Sequence, residues 1–257
     1  GNVGRKIIEV LENKNFPISE LYLIASSKSS GQKINFKGKE HTVIDLEKFD
    51  FSKVKITFFA AGSAVAEKWA HKVAEKTIVI DNSKYFRKDS EIPLIVPEVN
   101  SKELVHVKNK NIIANANCSV IPLVVALKPL HDLYNVKRIV ASTYQSVSGA
   151  GKAPMDELLS QTQDYFNNKN LQSKHFTKQI AFNAIPHIDS FLENGYTKEE
   201  QKTSDEVKKI LDKKIKITST CVRIPVLVSH SISANVEFEK KFNLDEIRNV
   251  LSTSPGC

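Results

Sequence analysis

Apolar residues recur along the 257-residue chain with two different periods, and the two alternate. The opening stretch, GNVGRKIIEVLEN, puts Val3, Ile7, Ile8, Val10 and Leu11 on one stripe of a helix that follows a glycine turn. The short runs LYLIA (21–25), HTVIDL (41–46), KITFFAA (55–61), TIVIDNS (77–83) and NIIANA (111–116) read as strands. AVAEKWAHKVAEK (64–76) reads as a helix between two of them. Short apolar runs alternating with helices predict βαβ units and a parallel sheet.

Past that point the texture changes. An apolar helix covers 119–134, VKRIVASTYQSV (136–147) is a strand, and a polar helical region runs over 152–168. In TKEEQKTSDEVKKIL (197–211) Thr197 precedes the helix and Glu200 follows three residues later, the signature of a capping box. KITSTCVRIPVLV (216–228) and SISANVEFEK (231–240) predict neighbouring strands of an antiparallel sheet, and a short helix lies in NLDEIRNVLSTSPGC. The fold class is α/β, with a Rossmann-type dinucleotide-binding domain over 1–117 and an α+β domain over 118–257. No strand precedes the first glycine turn and no closing element follows the last helix, so both domains are expected to be incomplete.

Composition narrows the classes. No run approaches the roughly 18 consecutive apolar residues of a membrane span, and no secretory signal opens the chain. The three cysteines, Cys118, Cys221 and Cys257, are odd in number, far apart and not arranged as CxxC. That pattern argues against a disulfide framework and a metal site, and for reduced thiols in the cytoplasm. The net charge is +8, yet the lysines are dispersed among acids, as in KEEQKTSDEVKKILDKK. Without an arginine-rich block or interleaved aromatics this reads as a solvated surface that favours anionic ligands, not nucleic acid.

Several stretches carry candidate chemistry. GNVG at a helix start offers backbone N–H groups and a positive dipole end to a pyrophosphate. After LYLIA comes SSKSSG, with hydroxyls and Lys28 where an NAD-selective site has an acid; this favours NADP. Cys118 lies directly before an apolar helical run. It is either a small core residue or a thiol whose reactive thiolate the helix N-terminus favours. STYQSVSGAG ends a strand in Gln145 and continues into Ser148 and Gly149, where glycine permits close approach of backbone to a ligand or simply serves a tight turn. TCVRIPVLVSHS holds Arg223 and His230 in apolar sequence, an odd number of residues apart, hence on opposite faces of one straight strand unless Pro225 or a turn intervenes. A charged arginine there calls for a carboxylate. Glu199 and Lys202, three apart on the capped helix, read as a surface ion pair.

Together the words GNVGR, ASSKSSG, DNSKYFR, PLIVPEVN, NANCS, STYQSVSGAG, IAFNAIPHID, YTKEEQK and TCVRIPVLVSHS resemble the bacterial aspartate-semialdehyde dehydrogenase family, in order and in approximate spacing. The resemblance implies interconversion of aspartate 4-semialdehyde plus phosphate with aspartyl 4-phosphate, using NADP, on the route to lysine, threonine and methionine. It implies Cys118 as nucleophile, His230 as acid/base, and Gln145 as the group orienting the acyl intermediate. Arg223 would clamp the substrate carboxylate and Glu199 its ammonium. Arg87, Asn117 and Lys202 would hold phosphate. Gly1, Asn2 and Val3 would lie at the pyrophosphate, Lys28 and Ser29 at the 2′-phosphate, and Ser148 with Gly149 near the nicotinamide. It also implies that the second domain dimerises, giving a homodimer in the full-length protein. Lys28 stands where the bacterial pattern has arginine, and Ala116 where it has proline. The competing readings are an N-acetyl-glutamyl-phosphate reductase, which should lack STYQSVSGAG and the KEEQK pair, and a non-catalytic relative, which would be expected to lose Cys118, His230 or Arg223.

Overall fold

Helix α1 (Asn2–Asn13) follows Gly1; of its apolar stripe Ile7, Ile8 and Leu11 are half-buried, while Val3 and Val10 are exposed. The computed structural model describes residues 1–257, which divide into two units: 1–93 with 106–114, and 94–105 with 115–257.

In the first unit β1 (Leu23–Ala25) pairs in parallel with β3 (Lys39–Asp45), which forms a hairpin with β2 (Lys33–Phe36). The hairpin turns at Lys37 and Gly38, with φ of 50° and 76°. Paired left-handed residues match the right-handed twist of the strands they join, and glycine takes the second position without strain. A second set follows. Strand β4 (Ile56–Phe59), helix α2 (Ser63–Ala74) and β5 (Ile78–Asp81) form a β–α–β crossover. Helix α2 buries Ala66, Ala70, Val73 and Ala74, a spacing that keeps one stripe inward. Next in sequence are β6 (Leu94–Ile95) and α3 (Pro97–Asn100) of the second unit. Strand β7 (Ile112–Asn115) then runs parallel to β5, with Ile112 and Ala114 fully buried.

In the second unit α4 (Val120–Tyr134) buries Val120, Leu123, Val124, Leu127 and Leu130, which is why its sequence is nearly all apolar. Strand β8 (Val136–Gln145), helix α5 (Lys152–Phe166), helix α6 (Lys198–Ile210), strand β9 (Lys216–Arg223), strand β10 (His230–Phe238) and helix α7 (Leu244–Thr253) follow. Both halves of the capping box at Thr197 and Glu200 are present.

One expectation is corrected. The runs at 216–228 and 231–240 are not neighbouring strands: the sheet order is β10-β8-β9, with β9 parallel and β10 antiparallel to β8. Pro225 has no N–H to donate, β9 stops at Arg223, and residues 224–229 cross the end of β8 to its other edge. That crossing is pinned by Ile224 N–H to Gln145 O at 3.0 Å, Val147 N–H to Val226 O at 2.9 Å and Ser148 N–H to Leu227 O at 3.1 Å. The two units exchange at 114/115, with one earlier excursion. Residues 94–105 go with the second, where β6 contacts α6 and α3 contacts α4, and Leu94, Ile95, Val96 and Val99 are buried.

Candidate active site

Cys118 is exposed on the turn between β7 and α4, and its neighbour Asn117 holds that turn in shape. The Asn117 carbonyl accepts from the amides of Val120 at 2.9 Å and Ile121 at 3.0 Å, and its Oδ1 accepts from Ser119 N–H at 2.8 Å. Pro122 has no amide to offer. The sequence suggested that the helix start favours the thiolate. Here its first amides are committed to Asn117, and an imidazole lies within hydrogen-bonding reach of the sulfur. His230 Nε2 lies 3.1 Å from Cys118 Sγ.

The sheet explains how Arg223 and His230 reach one place despite their odd separation. Gln145, last in β8, is paired in register with His230 on β10 and with Arg223 on β9. Residues opposite one another in a ladder share a face, so the three form one row. The crossing at 224–229 ends at Ser229, whose φ of 80° turns the chain into β10.

Ser146 joins the row together. Its carbonyl accepts from Arg223 Nη1 at 2.6 Å, and its amide donates to His230 Nδ1 at 3.0 Å. Nδ1 also lies 2.9 Å from the Ser229 carbonyl, and the Ser146 amide lies 3.3 Å from that same oxygen. Two proton arrangements are therefore accommodated. With Nδ1 bare, it accepts from Ser146. With Nδ1 protonated, it donates to Ser229 O, and the Ser146 amide has that oxygen as its alternative acceptor. Only the second leaves Nε2 bare to take the proton of Cys118; in the first Nε2 carries the proton and donates toward the sulfur. Gly149 approaches closely: a Cβ there would lie 3.4 Å from Arg223 Nη1 and 3.8 Å from His230 Nε2. Ser148 Oγ is 2.9 Å from Ser146 Oγ.

Below this row is a buried polar network. Glu199 Oε1 accepts from Asn117 Nδ2 at 2.9 Å and from Gln145 Nε2 at 3.3 Å, while Thr143 Oγ1 donates to Gln145 Oε1 at 2.9 Å. Thr143 thus fixes which way the Gln145 amide faces. Lys202 Nζ lies 3.3 Å from Glu199 Oε2 and 2.6 Å from Asp189 Oδ2. The pair read as a surface ion pair is instead enclosed, with Glu199 only 7% exposed. Helix α6 turns this face inward together with its buried Val207 and Ile210.

The electrostatics follow from burial and partners. Burial raises the Glu199 pKa, but hydrogen bonds from Asn117 and Gln145 and the nearby Lys202 ammonium outweigh it and hold the carboxyl below its ordinary value. Burial also opposes the Lys202 charge, and Asp189 and Glu199 more than offset it, so its pKa is raised. Burial lowers the His230 pKa, with Arg223 acting in the same direction and Ser229 O and Glu199 against it. Arg223 is 7% exposed, its guanidinium donates one hydrogen bond, to Ser146 O, and burial lowers its pKa. Most of its donor fork is uncommitted, a buried cation suited to a carboxylate. Cys221 is buried, its pKa raised chiefly by desolvation, which separates it from Cys118.

The remaining sequence candidates lie in the first unit. Gly1, Asn2 and Val3 are exposed at the start of α1, whose first turn has no acidic residue and no side-chain cap. Lys28 is exposed and Ser29 half-buried in a turn at Ser27–Ser29. This donor set, amides, hydroxyls and an ammonium without a carboxylate, fits the phosphates of a dinucleotide. Arg87 is buried, and its Nη2 donates to Asn82 O at 3.2 Å. Its loop is shaped by Asp81, which accepts from Ser83 N at 3.0 Å and Ser83 Oγ at 2.7 Å. Thr143, Ser146 and Glu206 had not been singled out from sequence. Only Glu206 carried a signal, lying seven residues, two helical turns, beyond Glu199.

An α/β chain with a thiol–imidazole pair, its histidine in one row with a buried and largely unspent arginine, has the makings of an acyl-transferring oxidoreductase, and the family models give the class. Residues 1–107 match the semialdehyde dehydrogenase NAD binding domain, and residues 127–257 match the semialdehyde dehydrogenase dimerisation domain. Among curated relatives, the aspartate-semialdehyde dehydrogenase of Aquifex aeolicus is 49% identical over 100% of this chain and 76% of its own length. The crystal structure of aspartate semialdehyde dehydrogenase II from Vibrio cholerae is similar at TM-score 0.98 and 46% identity, over 100% of this chain and 77% of that one. The same Vibrio cholerae enzyme complexed with ASA gives TM-score 0.97 and 45% identity, over 99% and 76%. The chain belongs to the aspartate-semialdehyde dehydrogenase family.

Proposed function

We propose that this chain carries the phosphorylating oxidation of aspartate 4-semialdehyde to aspartyl 4-phosphate, and its reverse, through a thioester on Cys118, with NADP as the redox partner. The observation that carries this reading is the 3.1 Å approach of His230 Nε2 to Cys118 Sγ beside the buried Arg223.

Neutral His230 takes the thiol proton at Nε2, and the thiolate adds to the aldehyde carbon. The imidazolium so formed donates from Nδ1 to Ser229 O and from Nε2 to the new alkoxide, giving a thiohemiacetal. His230 then removes the hydroxyl proton as the C–H bond is oxidised. When bound, NADP supplies the acceptor for that hydride. The resulting thioester is a better acyl donor than an oxygen ester, and attack by phosphate returns the sulfur as thiolate. Arg223 binds the substrate carboxylate, Glu199 its ammonium, and Gln145, held by Thr143, orients the acyl group. Asn117 and Lys202 serve the phosphate, with Arg87 assigned the same role by resemblance. Gly1, Asn2, Val3, Lys28 and Ser29 would hold the dinucleotide phosphates, and Ser148 and Gly149 are assigned to its nicotinamide end. The second domain is read as the dimer-forming one and the location as the cytoplasm.

The test offers aspartate 4-semialdehyde and its N-acetyl-glutamate counterpart in turn, each with phosphate and either NADP or NAD. Reduction of NADP with the first substrate alone is expected. Preference for the acetylated one would move the assignment to the neighbouring reductase.

A further inference from the structure

The geometry points to Glu206 as a positioning residue of the nucleophile, acting on Cys118 through the backbone of Asn117. This rests on the reading of Cys118 as nucleophile. Glu206 sits on the most polar helix of the unit, yet it is only 3% exposed. A carboxylate taken out of water is costly unless donors replace the water. Its Oε2 accepts the Asn117 amide at 2.6 Å, a contact between residues 89 apart in sequence. Two turns earlier on the same face of α6, Glu199 accepts the Asn117 side-chain amide at 2.9 Å.

The two carboxylates hold Asn117 by its two donors, one on the main chain and one on the side chain. The acceptors of Asn117 are spent in the other direction, on the amides of Ser119, Val120 and Ile121 at the head of α4. Asn117 therefore fixes α6 to α4 at the residue bonded to Cys118, and its Oδ1 lies 3.7 Å from the sulfur. Releasing the main-chain donor frees the peptide that aims Sγ at His230. Glu199 also faces Gln145 and Lys202, so changing it disturbs the substrate groups directly. Glu206 offers the clamp without that overlap.

The test compares Glu206→Ala and Glu206→Gln in the full-length enzyme by kcat, KM for the semialdehyde, Cys118 alkylation by iodoacetamide and thermal melting. Misplacement of a reacting group by about 1 Å costs on the order of 100-fold, and a kcat loss of that order is expected for the alanine variant, with KM unchanged. Alkylation of Cys118 slows in parallel. Glutamine, which keeps an acceptor oxygen but no charge, restores most of both. Wild-type kcat and alkylation in a folded alanine variant would overturn the proposal. So would loss of melting temperature with thiol kinetics intact, the mark of a purely structural residue. If the alanine variant does not fold, Glu206→Asp decides: its shorter reach must slow Cys118 relative to glutamine, and equal rates refute the clamp. A wild-type enzyme that alkylates but does not oxidise the semialdehyde would sink the functional reading, while the alkylation comparison would still judge Glu206.

Discussion

His230 Nε2 lies 3.1 Å from Cys118 Sγ although the two residues are 112 apart in sequence. One stands on the turn before α4 and the other at the first position of β10, so neither local sequence specifies the pair. The ring is buried enough that its pKa falls below the ordinary 6.5. The base form is therefore populated at neutral pH, and the acid limb of kcat/KM is expected below 6.5 in a pH–rate profile. His230→Gln should remove that limb along with most of the activity and slow alkylation of Cys118. A variant that keeps the limb would assign it to another group.

Arg223 predicts a separation of binding from chemistry. Its fork is buried and mostly unspent, and a hydrogen bond to a charged group is worth about 1.5–3 kcal/mol, roughly 10- to 100-fold. Arg223→Lys keeps the charge and loses the two-pronged geometry. Steady-state kinetics should show KM for the semialdehyde rising by about that factor, with a smaller change in kcat. An unchanged KM would remove Arg223 from carboxylate binding.

The titrating groups of the site give stability a sign. Glu199 is held below its ordinary 4.5 when folded, so its contribution is present above 4.5 and lost as pH falls through the lower folded value. His230 is depressed below 6.5, and its contribution is likewise lost on acidification, over a window that opens at 6.5. Thermal melts should therefore fall in two stages as pH is lowered. His230→Gln should flatten the upper stage alone, and Glu199→Gln the lower.

Lys28 tests cofactor choice. An exposed ion pair contributes about 0.2–1 kcal/mol, so Lys28→Ala should raise KM for NADP by up to about fivefold and leave KM for NAD unchanged. Equal effects on both would separate Lys28 from the 2′-phosphate.

Much of this was legible in the sequence, and the parts that were not have physical reasons. The capping box at Thr197 is local chemistry and could be read directly. The βαβ alternation over 55–83 declared itself because buried strands and an amphipathic crossover helix have different periods. The position of β8 between β9 and β10 was not readable, since two strands joined by a short connection usually pair. The crossing is decided by Pro225 and by hydrogen bonds to residues 145–148. That same crossing resolves the odd spacing of Arg223 and His230, which lie on different strands. The hairpin turn at Lys37 and Gly38 went unread because lysine is not a usual left-handed residue. Burial of Glu199 and Glu206 was hidden because a carboxylate in a polar helix reads as solvated until the loop that occupies it is known.

The most direct test is to trap the acyl group. Full-length enzyme is mixed with aspartate 4-semialdehyde and NADP without phosphate, quenched in acid and examined by peptide mass spectrometry. The account predicts a mass increase equal to the aspartyl group on the peptide containing Cys118, discharged when phosphate is added, and absent in Cys118→Ser. Turnover at an undiminished rate in Cys118→Ser, with no acylated peptide at any time, would contradict it.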